Sequence, residues 1–205
     1  LETLVALGYV EARRNHGARR TDPYRYRLAD PAFCFHAALV QPFRTELEHN
    51  DPRRVWDLHI AKELGAYMGL VFETIVEQAY HRLARVHGLP LVRSWGRWEG
   101  LDRSGRQTEI DVVAQLTDGR IATGAIKWNM RPVLPDVHFG HVAAIERLAE
   151  SGHRWAHAAR EPAAPLLYVA AGGFSPAFRR AVQASGRNVV LWTLNDLYRV
   201  PRRGR

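Results

Sequence analysis

The spacing of hydrophobic residues changes along the chain, and the N-terminal part begins with a helical pattern. Residues 1–7 place leucine and valine on one helical face, and Gly8 is a stop signal for that helix. Residues 9–13 and 24–28 alternate, which predicts two strands joined by a polar, arginine-rich loop. Residues 31–70 return to a helical spacing. The N-terminal part is therefore predicted to contain a short helix, a hairpin and a helical segment.

The remainder of the chain alternates helices with strands. Residues 71–86 show a strongly periodic apolar helix pattern, which Gly88 closes. The turn at Asp118 and Gly119 predicts an antiparallel hairpin. Strands are predicted at residues 91–100, 108–116, 121–128, 164–173 and 188–194, and helices at residues 137–152 and 176–186. This order predicts an α/β fold with a mixed β-sheet flanked by helices.

The composition is that of a folded, basic protein. Of the 205 residues, 46 % are apolar and 24 % are charged, and the formal net charge is +8, which favours a polyanionic partner such as DNA. No apolar run reaches the ~20 residues of a membrane span, so no membrane contact is expected. Cys34 is the single cysteine, which fits a reducing cytoplasm. Because Leu1 lies inside an apolar helix pattern, we expect the chain to be part of a longer protein.

Two charged positions interrupt the apolar strands of the predicted hairpin. Asp111 lies in the segment EIDVV at residues 109–113, and Lys127 lies in GAIKW at residues 124–128. Side chains alternate along a strand, so Ala125 and Lys127 share a face, and antiparallel pairing brings that face next to Asp111. Buried charges are costly unless they are paired. The pattern indicates either a functional site or a structural ion pair.

Further polar side chains lie on the helices around this hairpin. Glu73, in the segment FETIVEQ, is placed to reach over the same sheet face as Asp111 and Lys127. His138 and His141 are three residues apart on a predicted helix, a spacing that suits zinc. No third ligand follows them at a recognisable spacing. We therefore expect these two histidines to be surface or core residues.

The first 30 residues resemble the end of a winged helix, in which the last helix is followed by the wing hairpin. The loop of this hairpin reads RRNHGARRTDP. The resemblance implies DNA phosphate contacts by Arg13, Arg14, Arg19 and Arg20. The alternative is a solvated hairpin that joins two domains.

Roughly residues 70–195 resemble the PD-(D/E)xK nuclease superfamily, whose core is a helix, a three-stranded meander, a helix and a further strand. The resemblance implies a restriction-endonuclease-like core in which Asp111 and a second acid bind Mg²⁺ or Mn²⁺. It implies that Lys127 positions or activates the attacking water. A glutamate from the first helix often joins the metal shell in that superfamily, and Glu73 takes this position.

The implied metal site lacks one acid. The second acidic position falls on Ala125, which cannot bind a cation. Asp111, the backbone carbonyl of Ile126 and Glu73 remain as a partial ligand set. Three explanations stay open: an engineered Glu→Ala substitution, a natural non-cleaving relative that still binds DNA, or Glu109 as a substitute acid.

A longer resemblance is carried by the segments FCFHAALVQPF, LGAYMGLVFETIVEQ, GRWEG, TEIDVV and LLYVAAGGF. They look like the C-terminal part of archaeal-type P-loop ATPases, in which an ATPase module precedes a winged helix and a nuclease-like domain. In that family the segment corresponding to GAIKW usually has glutamate at its second position. The resemblance implies a winged-helix end at residues 1–30, a helical linker at 31–69 and a nuclease-like domain at 70–205. It also implies that the ATPase module of the longer chain is a partner.

The predicted function is a metal-dependent DNA endonuclease-like domain of a larger, cytoplasmic ATPase. With Ala125 in place of the second acid, the domain is expected to be inactive as written. The alternative is a DNA-binding or regulatory module of the ATPase that has no chemistry of its own.

Overall fold

The structure, a computed structural model, describes residues 1–85 and 88–198. These residues separate into two compact units. The first unit contains Leu1–Arg14 and Arg20–Phe72, and the second contains Asn15–Arg19 and the described residues from Glu73 onward. The three-segment division made from the sequence stays a prediction.

In the first unit, the helix α1 (Glu2–Ala6) precedes a two-stranded hairpin. Strands β1 (Val10–Arg13) and β2 (Arg25–Leu28) pair antiparallel. Gly8 has a φ of 76°, a conformation that glycine adopts readily and that permits the turn between α1 and β1. The short helix and the hairpin expected from the apolar spacing are therefore present.

The helical segment after the hairpin is broken into short pieces. Pro42 and Pro52 lack a backbone N–H and cannot continue a helix that precedes them. Asp30 begins the first piece by accepting a hydrogen bond from the backbone N–H of Ala32 at 2.7 Å. The pieces are α2 (Pro31–Phe35), a π-helical turn (His36–Val40), a 3₁₀ turn (Gln41–Phe43), α3 (Arg44–His49), α4 (Pro52–Val55) and a second π-helical turn (Trp56–Ile60).

The long helix α5 (Ala61–Leu83) has 23 residues and joins the last part of the helical segment predicted at residues 31–70 to the periodic helix predicted from residue 71. Gly65 and Gly69 weaken that pattern because glycine has a low helix propensity. The predicted helix end at residue 86 lies outside the described residues. In the described parts of the chain, no helix has the length and apolar character to cross a membrane.

The second unit is built on a five-stranded sheet with the strand order β3-β4-β5-β6-β7. The first three strands are antiparallel, and β5, β6 and β7 are parallel. The predicted mixed α/β sheet flanked by helices is confirmed. The strands are β3 (Val92–Leu101), β4 (Gln107–Leu116), β5 (Ile121–Lys127), β6 (Leu166–Ala170) and β7 (Val189–Thr193), and the helices are α6 (Pro135–Glu150), α7 (Arg154–Ala159), α8 (Pro176–Ala184) and α9 (Leu194–Leu197).

The hairpin of β4 and β5 has the pairing expected from its turn. Val112 lies opposite Gly124, and Gln115 lies opposite Ile121. Gly119 has a φ of 89°, which suits the tight turn between the strands. The prediction of an antiparallel pair joined at Asp118 and Gly119 is confirmed.

Two apolar clusters form the core of the second unit. One contains Ile110 and Ile121 from the hairpin strands together with buried residues of α6 and α7. The other contains Tyr168 from β6, Phe178 from α8 and neighbouring apolar side chains. Packing of α6 and α7 against β4 and β5 therefore holds the hairpin strands that carry the predicted site.

Candidate active site

Asp111 and Lys127 are brought into contact by the antiparallel pairing of β4 and β5. The Lys127 Nζ lies 3.2 Å from the Asp111 Oδ2. The same oxygen accepts a hydrogen bond from the backbone N–H of Ile126 at 2.8 Å. The Asp111 side chain is 10 % exposed and the Lys127 side chain is 44 % exposed. The buried carboxylate is thus satisfied by one backbone donor and one cation whose head reaches the surface.

These side chains lie in a cleft of about 190 Å³ between the hairpin and α6. Ala125 is 7 % exposed and is one of several small residues in its wall. A longer side chain at position 125 therefore has space to extend into the cleft. The cleft is lined by Glu109, Asp111, Gly124, Ala125, Lys127, Val137, Gly140, His141 and Ala144.

His141 is a cleft residue whose functional placement the sequence did not indicate. Its Nε2 lies 3.0 Å from the Thr123 Oγ1, and burial together with nearby positive charges, including Lys127, lowers the pKa of His141 to about 3. The residue is therefore neutral at physiological pH. Alternation along β5 predicted that Ala125 and Lys127 share a face, but nothing in the sequence placed His141 opposite that face.

His138, one helical turn away, takes no part in lining the cleft. Its Nδ1 lies 2.9 Å from the Tyr168 hydroxyl in the core. Burial lowers the pKa of His138 and raises the pKa of Tyr168. Both histidines are core residues, because His138 is only 2 % exposed and His141 only 7 % exposed.

Glu73 is placed with Arg97 rather than in the cleft. The Glu73 Oε2 lies 3.5 Å from the Arg97 Nη1. The Arg97 Nη2 also contacts Glu99 at 3.1 Å and makes a close ion pair with Glu109. Of these three carboxylates, Glu109 is the one that also lines the cleft. The structure therefore brings together Asp111, Ala125 and Lys127, and it engages Glu73 and Glu109 with a guanidinium group.

The side chains present do not fit a divalent cation. Mg²⁺ and Mn²⁺ take several oxygen ligands, whereas the Oδ2 of Asp111 already faces an ammonium group and a backbone N–H. The backbone amide of Ile126 points to Asp111, so this residue supports the carboxylate through its N–H. Across residues 1–85 and 88–198, no group of three or more His, Cys, Asp and Glu side chains is arranged to hold a metal ion.

The four arginines predicted to contact phosphates differ in their surroundings. Arg13 donates to Glu11 at 2.8 Å. Burial raises the pKa of Glu11, but the guanidinium groups of Arg27 and Arg13 lower it by more than burial raises it. The net shift of the pKa is therefore downward. The guanidinium of Arg14 lies 4.2 Å from the ring centre of Tyr24.

Arg14 also donates to the backbone carbonyl of Arg20 at 2.9 Å, and the side chains of Arg19 and Arg20 are exposed. Part of the positive charge at the hairpin is therefore balanced within the protein, as the pairing of Arg13 with Glu11 shows. The segment RVPRRGR at residues 199–205 contains further arginines, for which the sequence also predicts phosphate contacts, and these residues lie outside the part of the chain that the structure describes.

A protein-family model matches residues 36–135 of the chain. The family is DUF234, described as "Archaea bacterial proteins of unknown function". The match includes Asp111, Ala125 and Lys127 and ends at the first residue of α6. Searches of the curated proteins and of the solved structures found no match.

Proposed function

We propose that the second unit is a nuclease-like DNA-binding domain of a larger, cytoplasmic P-loop ATPase, and that alanine at position 125 prevents it from cleaving DNA. The observation that carries the proposal is the convergence of Asp111, Ala125 and Lys127 in one cleft. Their order along an antiparallel hairpin is that of the PD-(D/E)xK pattern with its second acid absent. Among these three residues, only Ala125 differs from the residue type that the PD-(D/E)xK pattern has at its position.

A purely structural ion pair is a weaker explanation for these charges. The Asp111 side chain is only 10 % exposed, so the attraction of Lys127 is offset by the cost of removing the carboxylate from water. An apolar pair at the same positions of the hairpin would be at least as stable. The charged residues are therefore better explained by binding than by folding.

Without an acid at position 125, DNA cleavage is prevented but phosphate binding by Lys127 is not. Hydrolysis of a phosphodiester needs an activated water and stabilisation of charge on the phosphate, and a divalent cation supplies both. The cleft as it stands does not fit such a cation. Lys127 still presents a positive charge at the cleft opening, which favours contact with a phosphate.

The first test restores the acid with Ala125→Glu. We expect Mn²⁺ binding, followed by calorimetry, to tighten by about tenfold or more, because a second carboxylate adds a charged oxygen ligand beside Asp111. Cleavage of duplex and branched DNA in Mg²⁺ or Mn²⁺, followed on gels, is expected to accompany it. Lys127→Ala in this background should slow cleavage and leave cation binding in place.

Two matched variants make this test specific. Glutamine has nearly the same size as glutamate but carries no charge, so Ala125→Gln should not tighten Mn²⁺ binding. Ala125→Glu combined with Asp111→Asn keeps the shape of the aspartate and should lose the gain. If Ala125→Glu gives neither cation binding nor cleavage on any DNA form, the cleft is not a nuclease site that lacks one residue.

A second candidate function is a DNA-binding or regulatory module of the ATPase that has no chemistry. The engagement of Glu73 and Glu109 by Arg97 favours it, because these acids are then balanced without a metal. DNA binding by the parent chain together with an inert Ala125→Glu variant would select this function.

A further inference from the structure

His141 brings a buried imidazole ring to the cleft, and one of its two ring nitrogens is open to a ligand. The residue is 7 % exposed and lines the cleft. Its Nε2 lies 3.0 Å from the Thr123 Oγ1. The Nδ1 has no hydrogen-bond partner within residues 1–85 and 88–198, and it is not sealed from solvent. Because polar groups of buried side chains normally have partners, the Nδ1 marks a position for a ligand atom in the cleft.

Thr123 determines which ring nitrogen of His141 carries the proton. Thr123 is fully buried, and in the described part of the chain the Nε2 of His141 is the one hydrogen-bond partner of its hydroxyl. A buried hydroxyl that does not donate leaves its proton unsatisfied, so the Thr123 O–H donates to the Nε2. The ring is neutral, because burial lowers the pKa of His141 to about 3. Its single proton is therefore on the Nδ1, which is a hydrogen-bond donor towards the cleft.

Asp111 offers a hydrogen-bond acceptor in the same cleft. Its Oδ2 accepts from the backbone N–H of Ile126 and from the Lys127 ammonium group. Neither bond uses the Oδ1, which is not sealed from solvent and has no other partner among the residues that the structure describes. The cleft therefore contains one fixed donor, one carboxylate acceptor and small wall residues such as Gly124 and Ala144.

The charged side chains that line the cleft are already balanced within the protein. Lys127 pairs with Asp111, and Glu109 makes a close ion pair with Arg97. A charged ligand must break one of these pairs or stay uncompensated, whereas a neutral ligand leaves both pairs in place. The cleft volume of about 190 Å³ suits a molecule with one ring, because a cavity of ~150 Å³ is enough for benzene.

We propose that the cleft binds a small neutral amide, whose carbonyl oxygen accepts from the His141 Nδ1–H and whose N–H donates to the Asp111 Oδ1. An amide has a donor and an acceptor next to each other and carries no net charge, so it matches both groups. The apolar part of the ligand lies against the wall formed by Ala125, Val137 and Ala144. This inference goes beyond the proposed function and does not require DNA binding.

The position of the proton is tested by NMR of the ¹⁵N-labelled chain. The ring nitrogens of His141 are identified by their loss in His141→Gln. Near neutral pH, we expect the long-range nitrogen–proton spectrum to show a neutral ring that is protonated at the Nδ1. A ring protonated at the Nε2 removes the donor from the cleft and overturns the proposal.

Ligand binding is measured by calorimetry and by shifts of the same His141 signals, with benzamide as the probe. Two molecules of nearly the same shape are the comparisons: acetophenone has the carbonyl but no N–H, and benzoate carries a negative charge. We expect benzamide to bind ~3–10-fold more tightly than acetophenone, as for one hydrogen bond, and benzoate to bind more weakly than either. Equal affinity for the three molecules, or no binding of benzamide, overturns the proposal.

Two variants test whether benzamide binds in the cleft. Thr123→Val combined with His141→Leu replaces both hydrogen-bond partners with apolar groups, a change that can be nearly neutral for stability. It should weaken benzamide binding ~3–10-fold, with thermal unfolding little changed. Ala125→Leu should fill the cleft and weaken benzamide binding by about tenfold or more while the Nδ1–H signal of His141 remains. His157→Gln, at an exposed histidine, is the control.

The outcomes for this inference and for the proposed function are separate. Benzamide binding that is unchanged in a folded double variant, or in Ala125→Leu, places the probe outside the cleft and overturns the amide site. If the double variant does not fold, Ala125→Leu decides the test. DNA binding by the parent chain is measured independently, so the loss of either proposal leaves the other in place.

Discussion

At the scale of single residues, Asp111 is the centre of the candidate site because one of its oxygens has two different donors. The Ile126 N–H holds the carboxylate in place, and Lys127 neutralises it from the exposed side. A new acid at position 125 would compete with Asp111 for Lys127. The substitution is therefore expected to alter cation binding in two ways: it adds a charged oxygen ligand, and it draws Lys127 away from the Asp111 oxygen.

His141 gives a prediction about acid stability. Its pKa is lowered from 6.5 to about 3 in the folded protein, mainly by burial. Between these values the unfolded state binds more protons than the folded state, so the free energy of unfolding falls as the pH drops below 6.5. The slope for one proton approaches ~1.4 kcal/mol per pH unit.

We expect His141→Gln to flatten this slope between pH 6.5 and 5, where most carboxylates are still ionised. The variant should also lose ~1 kcal/mol at pH 7, because its bond to Thr123 is altered. Urea unfolding at several pH values is the measurement. His157→Gln, at an exposed histidine, is the control. Parallel stability curves for the parent and His141→Gln would contradict the buried neutral state.

At the scale of elements, the position of the site depends on a close approach of β5 and β6. The carbonyl oxygen of Leu167 occupies the space where a Cβ on Gly124 would lie. The two residues face each other across the parallel pair. Gly124, next to Ala125, is therefore required by the strand spacing rather than by a turn.

Gly124→Ala is expected to destabilise the protein by ~3 kcal/mol, because the backbone of β6 cannot yield as a flexible side chain would. Gly140→Ala is the matched control. Nothing lies within 4 Å of a Cβ at Gly140, and this residue is inside α6. Alanine there should stabilise by up to ~1 kcal/mol through its higher helix propensity. Urea unfolding compares the two, and equal effects would rule out the strand-spacing argument.

At the scale of the whole molecule, a net charge of +8 is distributed over a chain with two compact units. The family match over residues 36–135 contains parts of both units and stops before β6, α8 and β7. The matched range therefore includes the hairpin with Asp111 and Lys127 and ends before β6 and β7. The net charge of +8, by contrast, is the sum over all 205 residues and not over the matched range alone.

The charge predicts DNA binding that weakens steeply with salt, because phosphate neutralisation releases counterions. Replacing Arg20, which is exposed, with glutamine should reduce the slope of log affinity against log salt by about one, for one lost phosphate contact. Arg13→Gln should reduce it less, since Glu11 already balances Arg13. Titrations between low and moderate salt measure the slope.

Arg160→Gln is the control for that experiment, because Arg160 pairs with Glu146 in the second unit and lies outside the hairpin. It should leave the slope nearly unchanged. A flat salt response of the parent chain would argue for a protein partner in place of DNA.

The sequence alone determined the hairpin of β4 and β5, the mixed α/β class and the short N-terminal hairpin. These features depend on local spacing: alternation places Ala125 and Lys127 on one face, and the turn at Asp118 and Gly119 sets the antiparallel pairing. Neither inference needs knowledge of what packs against the strands. The spacing predicted helix both before and after residue 70, but it did not show that Ala61–Leu83 is one continuous helix, because Gly65 and Gly69 interrupt the apolar pattern.

Only the tertiary structure decided which distant side chains meet. It placed His141 in the cleft, paired Glu73 with Arg97, and brought the backbones at Gly124 and Gly172 close to neighbouring segments. The physical reason is that periodicity shows which face of an element is buried but not which residue lies opposite. Which residue lies opposite depends on packing between segments far apart in the chain. This packing placed the neutral His141 in the cleft and paired Glu73 with Arg97.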